Sequence, residues 1–230
     1  MNTLKNSNWL ITGGTSGLGL ALTEQLIKQG ANVAVVARNA QRLTQLAKRL
    51  PIIAVNADIA NKEDIYKISG QVLAHFGHLD VLVNNASDLG PTPLRPLIDS
   101  DCETLEAVLQ TNLIGPFRLT KAILPSMLLR QHGTIINISS DAAVSAYPTW
   151  GSYGTSKAAL DHLSRIWGEE LREQGIRFLA VDPGDMNTPM HAAAIPNADV
   201  TKLKEPQTAA RQLLDLIQSG FKPGAERKSL

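Results

Sequence analysis

The chain has 230 residues, 43% of them hydrophobic and 19% charged, which is enough for one sizeable core and short for two domains. Lysine plus arginine number 22 against 21 acids, and this +1 balance excludes the strongly basic surface that a nucleic acid or an acidic membrane requires. Cys102 is the only cysteine, which excludes an internal disulfide and fits a reducing compartment. No apolar run approaches the roughly 20 residues that cross a bilayer, and the apolar start "WLI" is too short for a signal peptide. The expectation is a soluble, cytoplasmic protein with small-molecule partners.

In chain order, the first β-branched run, "NWLIT", leads into "TGGTSGLG" at 12–19 and then into the helical pattern "SGLGLALTEQLIKQG". Gly13, Gly17 and Gly19 let the backbone turn sharply and approach an anion closely, while the helix start supplies free N–H groups; at a first strand-to-helix junction this spacing reads as a pyrophosphate cradle. The second run, "NVAVVA", ends at Ala37 and Arg38. NAD-binding sheets of this kind place an acid there. No Asp or Glu occurs from Gln25 to Ala57, so Arg38 favours a ribose phosphate, with Arg42 one turn further on. The helical "NAQRLTQLAKRL" and the strand "IIAVNA" follow, then Asp58 and Asn61, the latter placed to cap the next helix.

The fourth strand, "DVLVNN", opens into "NNAS" at 84–87 and the stiff loop "GPTPLRP". "SDCE" at 100–103 reads as a capping box with Ser100 as cap, starting a helix over about 101–130 that contains Asn112. "GTIINIS" is the fifth strand, followed by Ser140 and by a helix over about 152–173 carrying Tyr153 and Lys157. "IRFLAVD" is the sixth, followed by "DPGDMNT" and a proline-punctuated, loop-like stretch at 189–206 that reads as a lid. These runs are apolar on both faces, as parallel strands covered by helices are. A single-domain doubly wound, mostly parallel α/β sheet follows; because the chain ends "SGFKPGAERKSL" after its last helix, six core strands are expected, seven at most.

Tyr153 and Lys157 lie four apart, one turn along a helix face and about 6 Å along its axis. A free phenol has a pKa of about 10 and is a poor acid or base at neutral pH. An ammonium about 4 Å away would lower it by roughly three units before burial opposes the shift. Ser140 can hold a substrate oxygen against the phenol. Trp150, Asp141, Asp185, Met190 and His191 flank these segments, although a histidine placed like His191 is more often a surface residue. No cluster has metal-ligand spacing, so no metal is expected.

Taken together, "TGGTSGLG", Asp58, "NNAS", Asn112 in "TNLIGPF", Ser140, "YGTSK" and "DPGDMNT" resemble the short-chain dehydrogenase/reductase family over nearly the whole chain. Ser87 stands where many members have glycine. The resemblance implies hydride transfer between NADP(H) and a carbonyl or alcohol substrate, with Ser140, Tyr153, Lys157 and Asn112 as the catalytic group. It chooses Ser140 over Ser139 because the family's serine precedes its tyrosine by thirteen residues. It has Lys157 hold the nicotinamide ribose and Asn112 keep a relay water; the residues alone leave Asn112 equally as a buried amide that bends its helix. Cofactor contacts are expected from Gly13, Thr15, Ser16, Gly17, Leu18 and Gly19 at the phosphates. Arg38, Asp58, Ile59, Asn85 and Ala86 fall at the adenosine end. Tyr153, Lys157, Pro183, Gly184, Met186 and Thr188 fall at the nicotinamide. The family pairs its two long helices into a homodimer. The competing reading is a nucleotide-sensing binding protein without turnover, and an epimerase on the extended fold is disfavoured by length and glycine spacing.

Overall fold

A computed structural model describes residues 4–230. The strands are β1 (Asn8–Thr12), β2 (Asn32–Ala37), β3 (Ile52–Asn56), β4 (Val81–Asn84), β5 (Gly133–Ile138), β6 (Ile176–Asp182) and β7 (Gly224–Ser229). They form one parallel sheet in the order β3-β2-β1-β4-β5-β6-β7. The helices are α1 (Gly17–Lys28), α2 (Ala40–Arg49), α3 (Lys62–Phe76), α4 (Cys102–Leu109), α5 (Gly115–Arg130), α6 (Gly151–Glu170), α7 (Pro189–Ala194) and α8 (Pro206–Ser219).

Alternation along each strand divides the core in two. Trp9, Ile11, Val33, Val35, Ile136 and Leu179 face one side and meet α1, α2 and α8. Leu10, Ala34, Val36, Leu82, Ile135 and Phe178 face the other and meet α3 and α5. Both faces are therefore dry, which is why each strand reads as an unbroken apolar run. A polar ladder crosses the second layer: Asn84 donates to Asn137 Oδ1 at 2.8 Å, and Asn137 donates to the Ser164 hydroxyl at 2.7 Å. It ties β4 and β5 to α6, so the strand ends below the cleft are pinned to the helix that carries Tyr153.

Four local expectations change. The terminal segment does pair: β7 lies along β6 and makes the sheet seven-stranded. The helix expected over about 101–130 is interrupted by a π-helical turn at Gln110–Ile114, around Asn112. Ser100 does not cap α4; its hydroxyl donates back to the Pro96 carbonyl at 3.1 Å, closing the short turn Leu97–Asp99, and Asp101 stands at the cap position. The stretch 189–206 is not all loop, since Pro189–Ala194 is helical with Thr188 accepting from the His191 N–H. Asn61 caps α3 as expected, accepting from the Glu63 N–H at 3.0 Å. No helix among the described residues is long and apolar enough to cross a membrane.

The approach of α6 to β7 is close enough to test. A Cβ on Gly168 would collide with Ala225, 2.6 Å from its backbone nitrogen, whereas one on Gly70 in α3 would meet nothing within 4 Å. Gly168→Ala is expected to lower the unfolding free energy by about 1–3 kcal/mol through overpacking. Gly70→Ala is expected to raise it by up to about 1 kcal/mol through helix propensity. Urea denaturation of both variants beside the parent reads the difference, and equal midpoints for the two would show that β7 does not pack where described.

Candidate functional site

All seven strands run the same way, so the loops at their carboxyl ends meet along one rim. Chain order reverses between β1 and β4, and loops leaving neighbouring strands for opposite faces must open a crevice there. A cleft of about 540 Å³ lies at that rim.

Thr12, the last residue of β1, builds its floor. Its hydroxyl accepts the N–H groups of Asn85 and Ala86, each at 3.0 Å, and the Asn85 amide donates to the Thr12 carbonyl at 2.9 Å. The loop after β4 is thereby held against the glycine loop. Gly13 turns with φ +69°, and a Cβ there would stand 3.0 Å from the Ala86 Cα, so the close approach needs glycine. Ser16 precedes α1 without a side-chain capping bond. The first-turn N–H groups of α1 therefore keep their capacity to bind an anion. Gly13, Thr15, Ser16, Gly17 and Leu18 line the cleft. Gly19 does not: its Cα lies behind the loop, where a Cβ would meet the Gly13 carbonyl oxygen at 2.5 Å. A bare backbone turn at a helix start fits a pyrophosphate.

Asn85 and Ala86 line the cleft near this floor, and its far end is lined by Ala37, Arg38, Asn39, Asp58 and Ile59. Arg38 is 61% exposed in its side chain and stands 3.9 Å from the Asp58 carboxylate, which steers it along the rim. Arg42 lies off the cleft, and its N–H is taken by Asn39, which caps α2. Asn39 was invisible as a site residue in the sequence because capping asparagines are common. Pro183, Gly184, Met186 and Thr188 line the opposite wall after β6.

Ser140, Tyr153 and Lys157 come together on the wall between β5 and α6. The hydroxyls of Ser140 and Ser87 lie near enough to the Tyr153 hydroxyl to favour its ionised form. Lys157 is fully buried and donates to the Ile138 carbonyl at 2.8 Å, with Nζ 5.5 Å from the centre of the Tyr153 ring. Burial pushes the phenol up to about 12, against the lowering by its serine partners. Burial also pulls the ammonium down to about 8, against the opposing charge of Asp161. The Coulomb argument from spacing, which brought the phenol near neutrality, left out the depth of burial, and the net shift is upward. Burial thus disfavours the phenolate form of Tyr153.

Asn112 is buried and does not line the cleft; its neighbour Thr111 does. The amide is fully used by the protein. Its oxygen accepts from Ser87 Oγ at 3.1 Å and the Asp88 N–H at 2.7 Å, and its nitrogen donates to the Asp88 carbonyl and Ser156 Oγ. It therefore links the π-turn to the loop after β4 and to α6. Ser87, dismissed in the sequence as a glycine replacement, bonds to Asn112 and lies near the Tyr153 hydroxyl. Behind the wall, Arg227 of β7 donates to Asp161 Oδ2 at 2.8 Å and to the Ser140 carbonyl at 3.0 Å. His191 is no surface histidine: its side chain is 10% exposed and lines the cleft, 3.8 Å from Asp185.

The short chain dehydrogenase family matches residues 7–199. The 2-(R)-hydroxypropyl-CoM dehydrogenase of Xanthobacter autotrophicus is 34% identical over 187 residues, covering 79% of this chain and 75% of that protein. The 3-oxoacyl-[acyl-carrier-protein] reductase of Thermotoga maritima is 33% identical over 186 residues, covering 79% and 74%. Among solved structures, an alcohol dehydrogenase from Thermococcus sibiricus complexed with 5-hydroxy-NADP superimposes with a TM-score of 0.88 at 27% identity, covering 98% of this chain and 96% of that one. A glycine-cradled crevice at the switch point, a Ser–Tyr–Lys wall and a family match across most of its length make this chain a member of the short-chain dehydrogenase/reductase family, an oxidoreductase that uses a nicotinamide cofactor.

Proposed function

We propose that the protein is an NADP(H)-dependent carbonyl reductase, in which a ketone or aldehyde, NADPH and a proton give the alcohol and NADP⁺. The supporting observation is the buried Tyr153 phenol on the cleft wall with Ser140, one helical turn from Lys157. When bound, the nicotinamide supplies the hydride to the carbonyl carbon. Ser140 holds the carbonyl oxygen, and Tyr153 gives it the proton. Lys157, one helical turn from Tyr153, keeps a cation behind the phenol and reaches toward the ribose. Asn112 holds the loop after β4 and α6 together, so that Ser87 stays near Tyr153. Residues 189–206 form the lid: both of its ends are pinned, Asn187 N–H to the Lys204 carbonyl and Lys204 N–H to the Asp185 carbonyl, each at 2.9 Å.

Tyr153→Phe removes the proton and leaves the cradle. Turnover is expected to fall by about 10²–10⁴-fold, while NADPH, titrated by fluorescence, still binds. Near-parental turnover of a ketone that the parent reduces would remove Tyr153 from the role.

Cofactor choice is read at the end of β2. Ala37 leaves no carboxylate to repel a 2′-phosphate, and Arg38 can meet that phosphate with two charge-assisted bonds, worth roughly 1.5–3 kcal/mol. A preference for NADPH of at least about tenfold in kcat/KM is expected, shrinking with added salt. Ala37→Asp with Arg38→Leu reverses it. Equal use of NADH and NADPH by the parent would contradict the assignment.

The outer faces of α5 and α6 carry the homodimer interface. Phe117 stacks on Trp167 with centroids 5.1 Å apart, and Ile166 is 43% exposed beside them. An exposed aromatic and aliphatic patch of this kind marks an association surface. Light scattering at micromolar concentration is expected to give a dimer and Ile166→Glu a monomer; a monomeric parent would refute the interface.

A further inference from the structure

The two ends of the cleft differ in charge. Arg38 stands at the nucleotide end, while the reacting end presents Asp141 and Asp185. Asp182 also reaches the cleft, but Arg227 lies 3.7 Å from its carboxylate and offsets it. Lys157 is buried and donates to the Ile138 carbonyl. Among the described residues neither Asp141 nor Asp185 is paired with a lysine or arginine, and the one basic side chain beside them is His191, 3.8 Å from Asp185.

Asp141 is held by two hydroxyls. Asp141 Oδ1 accepts from the Ser140 hydroxyl at 3.0 Å and Oδ2 from the Tyr147 hydroxyl at 2.7 Å. Burial alone would push this carboxyl up, but the hydrogen bonds from Tyr147, Ser140 and the backbone outweigh it and hold it below the usual range. The charge of Asp185 is felt at Tyr147 as well. His191, nine-tenths buried against the cleft, leaves Nδ1 with no hydrogen-bond partner among the described residues. Leu89, Trp150, Met190, Ala194 and Ile195 supply apolar lining.

We propose that the carbonyl substrate carries a cationic ammonium head on an apolar body, the head lying between Asp141 and Asp185 and the body against Trp150 and the α7 side chains. This rests on the carbonyl-reductase reading of the cleft. An ammonium offsets one of the two carboxylate charges and can lie on an aromatic face, whereas a carboxylate or an anionic carrier meets like charge at the point where its carbonyl must reach Ser140 and Tyr153.

The test uses three aryl ketones of equal chain length ending in a trimethylammonium, a tert-butyl or a carboxylate group. Turnover with NADPH is measured, together with calorimetric binding to the NADPH-loaded protein. The ammonium ketone is expected to exceed the tert-butyl ketone by at least about tenfold in kcat/KM and the carboxylate by more, since about 1.4 kcal/mol of charge pairing is a factor of ten. Asp185→Asn and Asp141→Asn should each narrow the ammonium-to-neutral ratio. A carboxylate bound or reduced as well as the ammonium, or a ratio unchanged in both variants, overturns the inference. Turnover of none of the three while the ammonium ketone binds tightest would overturn the reductase reading and leave the charge preference standing.

Discussion

A fully buried lysine sets the terms for the rest of this structure. Taking an ammonium out of water costs several kcal/mol unless its donors are used and a counter-charge lies near. Lys157 meets that demand with the Ile138 carbonyl on one side and Asp161, one turn further along α6, on the other. The carbonyl belongs to the last residue of β5, so the lysine fixes α6 against the strand that delivers Ser140. Asp161 in turn needs its own donor, and Arg227 supplies it while also holding the Ser140 carbonyl. One charge thus fixes a strand end, a helix register and the terminal strand together, and Tyr153 has its place because Lys157 cannot move.

The same burial governs the chemistry. Low polarity around Tyr153 and Lys157 disfavours both charged forms, so phenol and amine are driven in opposite directions. A phenol that resists ionisation is suited to giving a proton to a developing alkoxide. The neighbouring hydroxyls of Ser140 and Ser87 supply the polarity that burial removes, without adding charge.

Much of this was legible in the sequence because the relevant constraints are local. Strands dry on both faces read as apolar runs, and β1 to β6 lie where those runs are. The glycine loop and the Ser–Tyr–Lys spacing are set by turn geometry and helix pitch. What escaped depends on distant partners. β7 reads "GAERKS", with Glu226, Arg227 and Lys228 in succession, because an edge strand pairs on one side only and tolerates charge that a central strand could not. Its signal was a charged run, which reads more readily as a solvated tail. Ser100 satisfied the capping pattern, yet the turn before it drew its hydroxyl back to Pro96. His191 looked exposed because its burial comes from the fold of 185–204 over the cleft. The phenol's shift was misjudged because spacing gives a distance along a helix but not the depth at which that helix lies.

The position of Arg227 also bears on how the protein comes into being. Ser140, Tyr153, Lys157 and Asp161 all precede β6, whereas the guanidinium that couples Asp161 to the Ser140 carbonyl arrives 66 residues after Asp161. A growing chain that has released α6 therefore carries the reacting side chains without the counter-ion that holds them in register. Such a chain also exposes the free edge of β6, where β7 will dock. The contacts that brace the Ser140 carbonyl and Asp161 are completed only when β7 joins the sheet. For β7 that step is both a guard against pairing with other chains and the last act of assembly of the site.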